Sequence, residues 1–110
     1  MRKKLPQRID NILKEIRDEL KKIYRGRLKE VILFGSYARG DFKEESDIDI
    51  ILLLKSLKDV SLERQKYFPV ISKISLKHDV VVTVVPFDFE VFQKKRTPLI
   101  MNVTREGIRV

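Results

Sequence analysis

Cysteine and tryptophan are absent from the 110 residues, and histidine occurs once, at His78. No disulfide, zinc–thiolate centre or cysteine nucleophile can therefore exist, and a histidine-based triad or metal site is poorly supported. Chemistry in this chain must run on carboxylates, hydroxyls, Lys/Arg side chains and backbone groups. Long apolar runs are also missing. The longest lie around Ile48–Leu54 and Val80–Val85, far short of a membrane span. The N-terminal stretch MRKKLPQRIDNILKEIRDEL carries basic residues with no continuous apolar region behind them, so no signal peptide is expected. The expectation is a cytoplasmic protein with no membrane partner.

What is present fits one domain spanning residues 1–110, with 43% apolar residues to supply a core. The net charge is +8, unevenly placed. Residues 1–29 hold eleven Lys/Arg against four Asp/Glu, leaving thirteen against twelve in residues 30–110. A basic first helix suits solvent or an acidic partner. No aromatic ladder accompanies it, so nucleic acid is not expected as a partner.

Hydrophobic periodicity sets out the elements. Ile9, Ile12, Leu13, Ile16, Leu20 and Ile23 recur at three- and four-residue spacing, predicting an amphipathic helix from about Pro6 to Tyr24, stopped at Gly26. EVILFG (30–35) reads as a short buried strand. SDIDIILLLK (46–55) begins with alternation and becomes continuously apolar, as a central strand covered on both faces would. Ser61 is the expected cap of a helix reaching roughly to Leu76, with Pro69 kinking or restarting it. DVVVTVVP (79–86) is a third strand, β-branched almost throughout and terminated by Pro86. FDFEVFQKK reads as a short helix. Thr97-Pro98 starts a last helix that ends at Gly107, before a final edge strand, IRV. The fold class is α/β (α+β), a small mixed three- to four-stranded sheet with helices packed on it.

One stretch resists a purely structural account. GSYARGDFKEESDID (35–49) gathers five carboxylates into nine positions of a basic chain, just before a buried strand. Like charges repel, and ionised groups leading into a core are costly. Topology concentrates them further. About ten residues join the first two strands, too few for a crossover, so those strands should be antiparallel. The long helical link from 55 to 79 makes the second and third strands parallel. Asp47 and Asp49 share a face by the two-residue period, and Asp79 is expected to begin the neighbouring strand. Asp41, Glu44 and Glu45 read as a solvated loop. Three converging carboxylates suit hard divalent cations, and the expectation is two Mg²⁺ ions about 4 Å apart. Beside them, Gly35 lets backbone N–H groups approach an anion, the Ser36 hydroxyl adds a donor, and Arg39 adds a charge-assisted contact.

The GS pair, the ten-residue interval and the D-I-D of this stretch resemble the signature of polymerase-β-like nucleotidyltransferases. GSYARG followed by SDIDI resembles their minimal nucleotidyltransferase branch, and the likeness spans nearly the whole chain. The resemblance implies a triphosphate held at Gly35 and Ser36, with Arg39 and Ser46 also at the nucleotide. It implies Mg²⁺ on Asp47, Asp49 and Asp79, and Asp79 assisting deprotonation of an acceptor hydroxyl. ATP is the implied substrate. In that branch the usual partner is a small helical HEPN toxin, which the nucleotidyltransferase neutralises by transferring AMP to a tyrosine. A contact-only regulatory module with a vestigial site is the alternative. Nucleotide preference, acceptor and oligomeric state have no motif in the chain.

Overall fold

The computed structural model describes residues 4–110; Arg2 and Lys3 of the basic N-terminal stretch lie outside the described residues. The chain forms α1 (Gln7–Tyr24), β1 (Leu28–Phe34), α2 (Ser36–Arg39), β2 (Ile48–Leu54), α3 (Val60–His78), β3 (Val82–Asp88), α4 (Phe89–Lys94), α5 (Pro98–Glu106) and β4 (Ile108–Arg109), with a 3₁₀ turn at Arg25–Arg27. The sheet order is β3-β2-β1-β4. β1 runs antiparallel to β2 and β4, and β2 runs parallel to β3. These are the pairings that the connection lengths require. The mixed α/β class is as expected.

Three layers result. Ile9, Ile12, Ile16 and Leu20 of α1 meet Tyr67, Ile71 and Ile74 of α3 over one face of the sheet, against Ile48, Ile50, Leu52 and Leu54 of β2. The opposite face presents Ile32, Ile51 and Leu53, covered by Phe92 of α4 and by Ile100 and Val103 of α5. Alternation along β2 puts Asp47 and Asp49 on this second face, below α5. Burying Ile and Leu side chains stabilises by about 1.5–3 kcal/mol each. β2 is covered on both sides, so its position is the best fixed in the fold.

Local chemistry sets the boundaries. The cap of α3 is Asp59, whose carboxylate accepts from Leu62 N at 3.3 Å, and not Ser61. The helix starts two residues earlier for that reason. It also runs through Pro69 unbroken to His78, held by packing of Tyr67, Ile71 and Ile74. Thr97 caps α5, accepting from Ile100 N at 3.2 Å, with Pro98 in the first turn. Gly107 closes it: a Cβ there would come within 2.5 Å of Val103 O and 2.6 Å of Ile32 Cγ2. β3 continues through Pro86 where a stop was expected. Val81 O accepts from Ile48 N, so by alternation the backbone of residues 82, 84 and 86 faces away from β2. The missing N–H of Pro86 therefore falls on the open edge, where proline is tolerated.

Side-chain ties fasten the helices. Arg27 donates to buried Glu63 at 2.6 Å and 3.4 Å, and Tyr24 Oη donates to Glu63 O at 3.2 Å. Burial pushes the Tyr24 hydroxyl up to about 12, helped by the Glu63 charge. At the other end Glu15 meets His78 at 2.8 Å and Lys77 at 3.1 Å, and these contacts hold its carboxyl below the usual range. Among the described residues, no helix is long and apolar enough to cross a membrane.

Candidate active site

Gly35 ends β1 at φ 76 and ψ −154, a region open essentially to glycine alone. A side chain is excluded twice over, because a Cβ would strike Asp49: Cγ at 3.2 Å, Cβ at 3.3 Å and Oδ2 closer still. The Asp49 side chain thus lies directly against the Gly35 backbone. Ser36 opens α2, a single turn whose buried face is Tyr37 and Ala38, so Ser36 and Arg39 are left toward the cavity. Gly40 closes the turn at φ 89. The following loop is pinned by Lys43 N donating to Ser46 Oγ at 2.8 Å.

These residues line one cavity of about 490 Å³: Gly35, Ser36, Arg39, Ser46, Asp47 and Asp49 all open onto it. Asp47 is exposed and Asp49 half-buried, while Ile48 and Ile50 on the other face are fully buried. Burial raises the Asp49 carboxyl above its usual range, and repulsion from Asp47 raises it further. Arg39 and a hydrogen bond with Thr83 oppose the rise. Arg39 is shared with Asp41 at 3.3 Å. The pair thus concentrates negative charge against partial neutralisation.

This donor set fits Mg²⁺. That ion keeps several waters and takes one or two carboxylates plus phosphate oxygens, not a protein cage. Asp47 and Asp49 are the residues that would hold it.

The third expected carboxylate is not in this cavity. α3 continues to His78, Asp79 takes the left-handed conformation of its C-cap (φ 52, ψ 55), and β3 begins only at Val82. Asp79 lines a neighbouring cavity with Arg8, Tyr37 and Phe42 instead. The residue abreast of Asp49 on β3 is Thr83. Among the described residues no three acidic or histidine groups lie close enough together to hold an ion. The expected cage of three aspartates is corrected to a pair, with a threonine beside it.

Sequence reasoning also missed a wall. Leu99, Asn102, Val103 and Glu106 of α5 line the cavity opposite the aspartates. Their spacing of three and four residues was a readable stripe, but nothing local says that α5 crosses this end of the sheet. Thr83 had a fainter signal, as the polar member of the run VVVTVV.

Comparison with known proteins places the chain in a family. The family described as Nucleotidyltransferase domain matches residues 13–110. A Methanocaldococcus jannaschii protein provisionally named protein adenylyltransferase MJ0141 is 36% identical over 102 residues, covering 93% of this chain and 98% of its own. Protein adenylyltransferase MntA of Thermococcus cleftensis is 31% identical over 88 residues, covering 71% of this chain and 87% of its own. Among solved structures, a toxin–antitoxin complex with AMP-PNP is 25% identical with a TM-score of 0.61, covering 94% of this chain and 72% of that one. A nucleotidyltransferase-like protein of Sulfolobus solfataricus, 22% identical with a TM-score of 0.59, shares the fold. With its family match running from the middle of α1 to the last residue, the chain belongs to the nucleotidyltransferase-domain family and is a nucleotidyltransferase.

Proposed function

We propose that this chain transfers AMP from ATP to a tyrosine hydroxyl of a HEPN-type partner protein and thereby acts as an antitoxin. The observation that carries the reading is the meeting of the Gly35–Ser36 turn with Asp47 and Asp49 at one cavity. The names borne by the relatives support adenylyl transfer to protein, and the AMP-PNP-containing toxin–antitoxin relative supports the nucleotide and the partner class. Gly35 brings backbone N–H groups to the triphosphate, with Ser36, Ser46 and Arg39 as further donors. Asp47 and Asp49 would hold Mg²⁺, which when bound would supply positive charge to offset that of the phosphates.

The acceptor oxygen forms a bond to the α-phosphorus, and the bond from that phosphorus to the bridging oxygen of pyrophosphate breaks. The hydroxyl proton is released to solvent. The protein contributes position and electrostatics, which is where most of the rate in such transfers arises. Asp79 is left out of this assignment because it lines a different cavity.

The test is incubation with ATP, Mg²⁺ and a HEPN partner, read by intact mass. AMP addition is expected from the wild type, and none from the variant carrying Asp47→Asn and Asp49→Asn. Undiminished addition by that variant refutes the proposal. A second reading, a contact-only module, draws on Thr83 standing where a third carboxylate was expected. It requires full neutralisation of the partner by the double variant, with no mass change.

A further inference from the structure

α3 is apolar on both sides. Tyr67, Ile71 and Ile74 face the core, yet Val60, Phe68 and Leu76 are exposed along one outer stripe, with Arg64 and Ser72 between them. Leu76 is 84% exposed and Phe68 50%, and Val81 beside them is 59% exposed. A helix apolar on two faces is expected to have a partner on each. The outer stripe does not stand alone. With the open edge of β3 it forms a groove of about 700 Å³, floored by residues such as Tyr67, Val82, Val84 and Pro86.

The groove leads to the active site. It shares Ser75, Leu76, Val80 and Val81 with the cavity that holds Asp79, Tyr37 and Phe42. That cavity shares Ser46 with the catalytic one. Three adjoining cavities therefore lie in series from the apolar groove to the one that Asp47 lines.

Two observations select the occupant. The one charged residue that lines the groove is cationic, Arg64, and no carboxylate lines it. A second copy would bring the same charge, on a chain already at +8. The outward edge of β3 lacks a donor at Pro86, which blunts it against an added strand. We infer that the α3–β3 groove docks an amphipathic helix of the acceptor protein, apolar on one face and flanked by Asp and Glu, so that its hydroxyl-bearing segment follows that series past Ser46 to the catalytic cavity. The inference rests on the protein-acceptor reading for its substrate.

The test has two arms. In the first, a synthetic amphipathic helix of about 18 residues, Leu on one face and Glu on the other, is titrated onto the full chain. Binding should be at least about tenfold tighter than for a Lys-faced counterpart. It should also weaken at least about tenfold with Leu76→Glu or with Arg64→Glu. Because these positions are exposed, the variants keep their fold. Equal binding of both peptides, or binding indifferent to the substitutions, overturns the docking surface. In the second arm, Leu76→Glu should raise KM for a HEPN partner while leaving kcat and ATP affinity unchanged. An unchanged KM where the wild type transfers AMP overturns the groove alone. Peptide binding without any transfer by the wild type overturns the acceptor reading instead. Self-association of the chain that Leu76→Glu dissolves assigns the groove to a second copy, and also overturns the inference.

Discussion

Thr83 stands abreast of Asp49 on the neighbouring parallel strand and hydrogen-bonds its carboxylate. A hydrogen bond to the charged form stabilises that form, so Thr83 restrains a pKa that burial and Asp47 drive upward. Thr83→Ala removes the restraint. The Asp49 carboxyl should then titrate at still higher pH in the metal-free protein, measurable by carboxyl-carbon NMR. An unmoved or lower titration would show that the threonine has no hold on the site.

The same strain makes Asp49 costly to the fold. Its carboxyl is raised in the folded state, so folding disfavours the ionised form. The penalty is present at neutral pH and disappears as pH falls below the unfolded carboxyl value. Asp49→Asn keeps the shape, removes the charge and should abolish transfer while raising Tm by about 2–5 °C at pH 7, for about 0.5–1 kcal/mol of relief. At pH 3 the gain should vanish. A variant no more stable than the wild type at neutral pH would mean that the Asp47–Asp49 repulsion is already relieved within the protein.

Much of this site was legible because strand chemistry is local. A glycine turn, a fixed interval and two aspartates at strand spacing put Gly35, Ser36, Asp47 and Asp49 together with no knowledge of packing. The antiparallel and parallel pairings followed from connection length alone. Asp79 failed for a boundary reason. The preference of aspartate for turns and left-handed caps placed it at the end of α3, three residues short of β3, and no hydrophobic pattern reveals where a helix yields to a strand. Asp59 won over Ser61 as a cap by a similarly fine margin. The α5 wall was illegible for another cause: Leu99, Asn102 and Glu106 reach the cavity through the tertiary path of the chain after β3.

Glu63 and Arg27 give a stability prediction away from the site. The Arg27 hydrogen bond holds the buried Glu63 carboxyl below its usual value. A depressed carboxylate contributes stability above its unfolded pKa and loses it as pH falls through the folded one. Arg27→Ala leaves the carboxylate buried with Lys66 at 3.5 Å, and should cost about 3 kcal/mol at pH 7. Denaturant titration should show that cost shrinking as pH drops and Glu63 becomes neutral. A cost independent of pH would assign the loss to the Arg27 guanidinium, which lies 5.7 Å over the Tyr24 ring.

Gly35→Ala tests the contact on which the site is built. The substitution forces an alanine into a backbone region used by glycine, at a cost of about 1–3 kcal/mol. Its methyl also displaces the Asp49 carboxylate, which lies where the Cβ must go. If the backbone strain alone mattered, stability would fall and the surviving folded protein would transfer AMP normally. The geometry requires more, because moving Asp49 separates it from Asp47 and from the phosphate-facing turn together. Folded Gly35→Ala should therefore lose transfer by at least about a hundredfold, the scale expected when a charged group is displaced from a preorganised site. Nucleotide binding should weaken in parallel, because the same turn serves both. A folded variant with near-normal turnover would show that the approach of Gly35 to Asp49 plays no part in the chemistry.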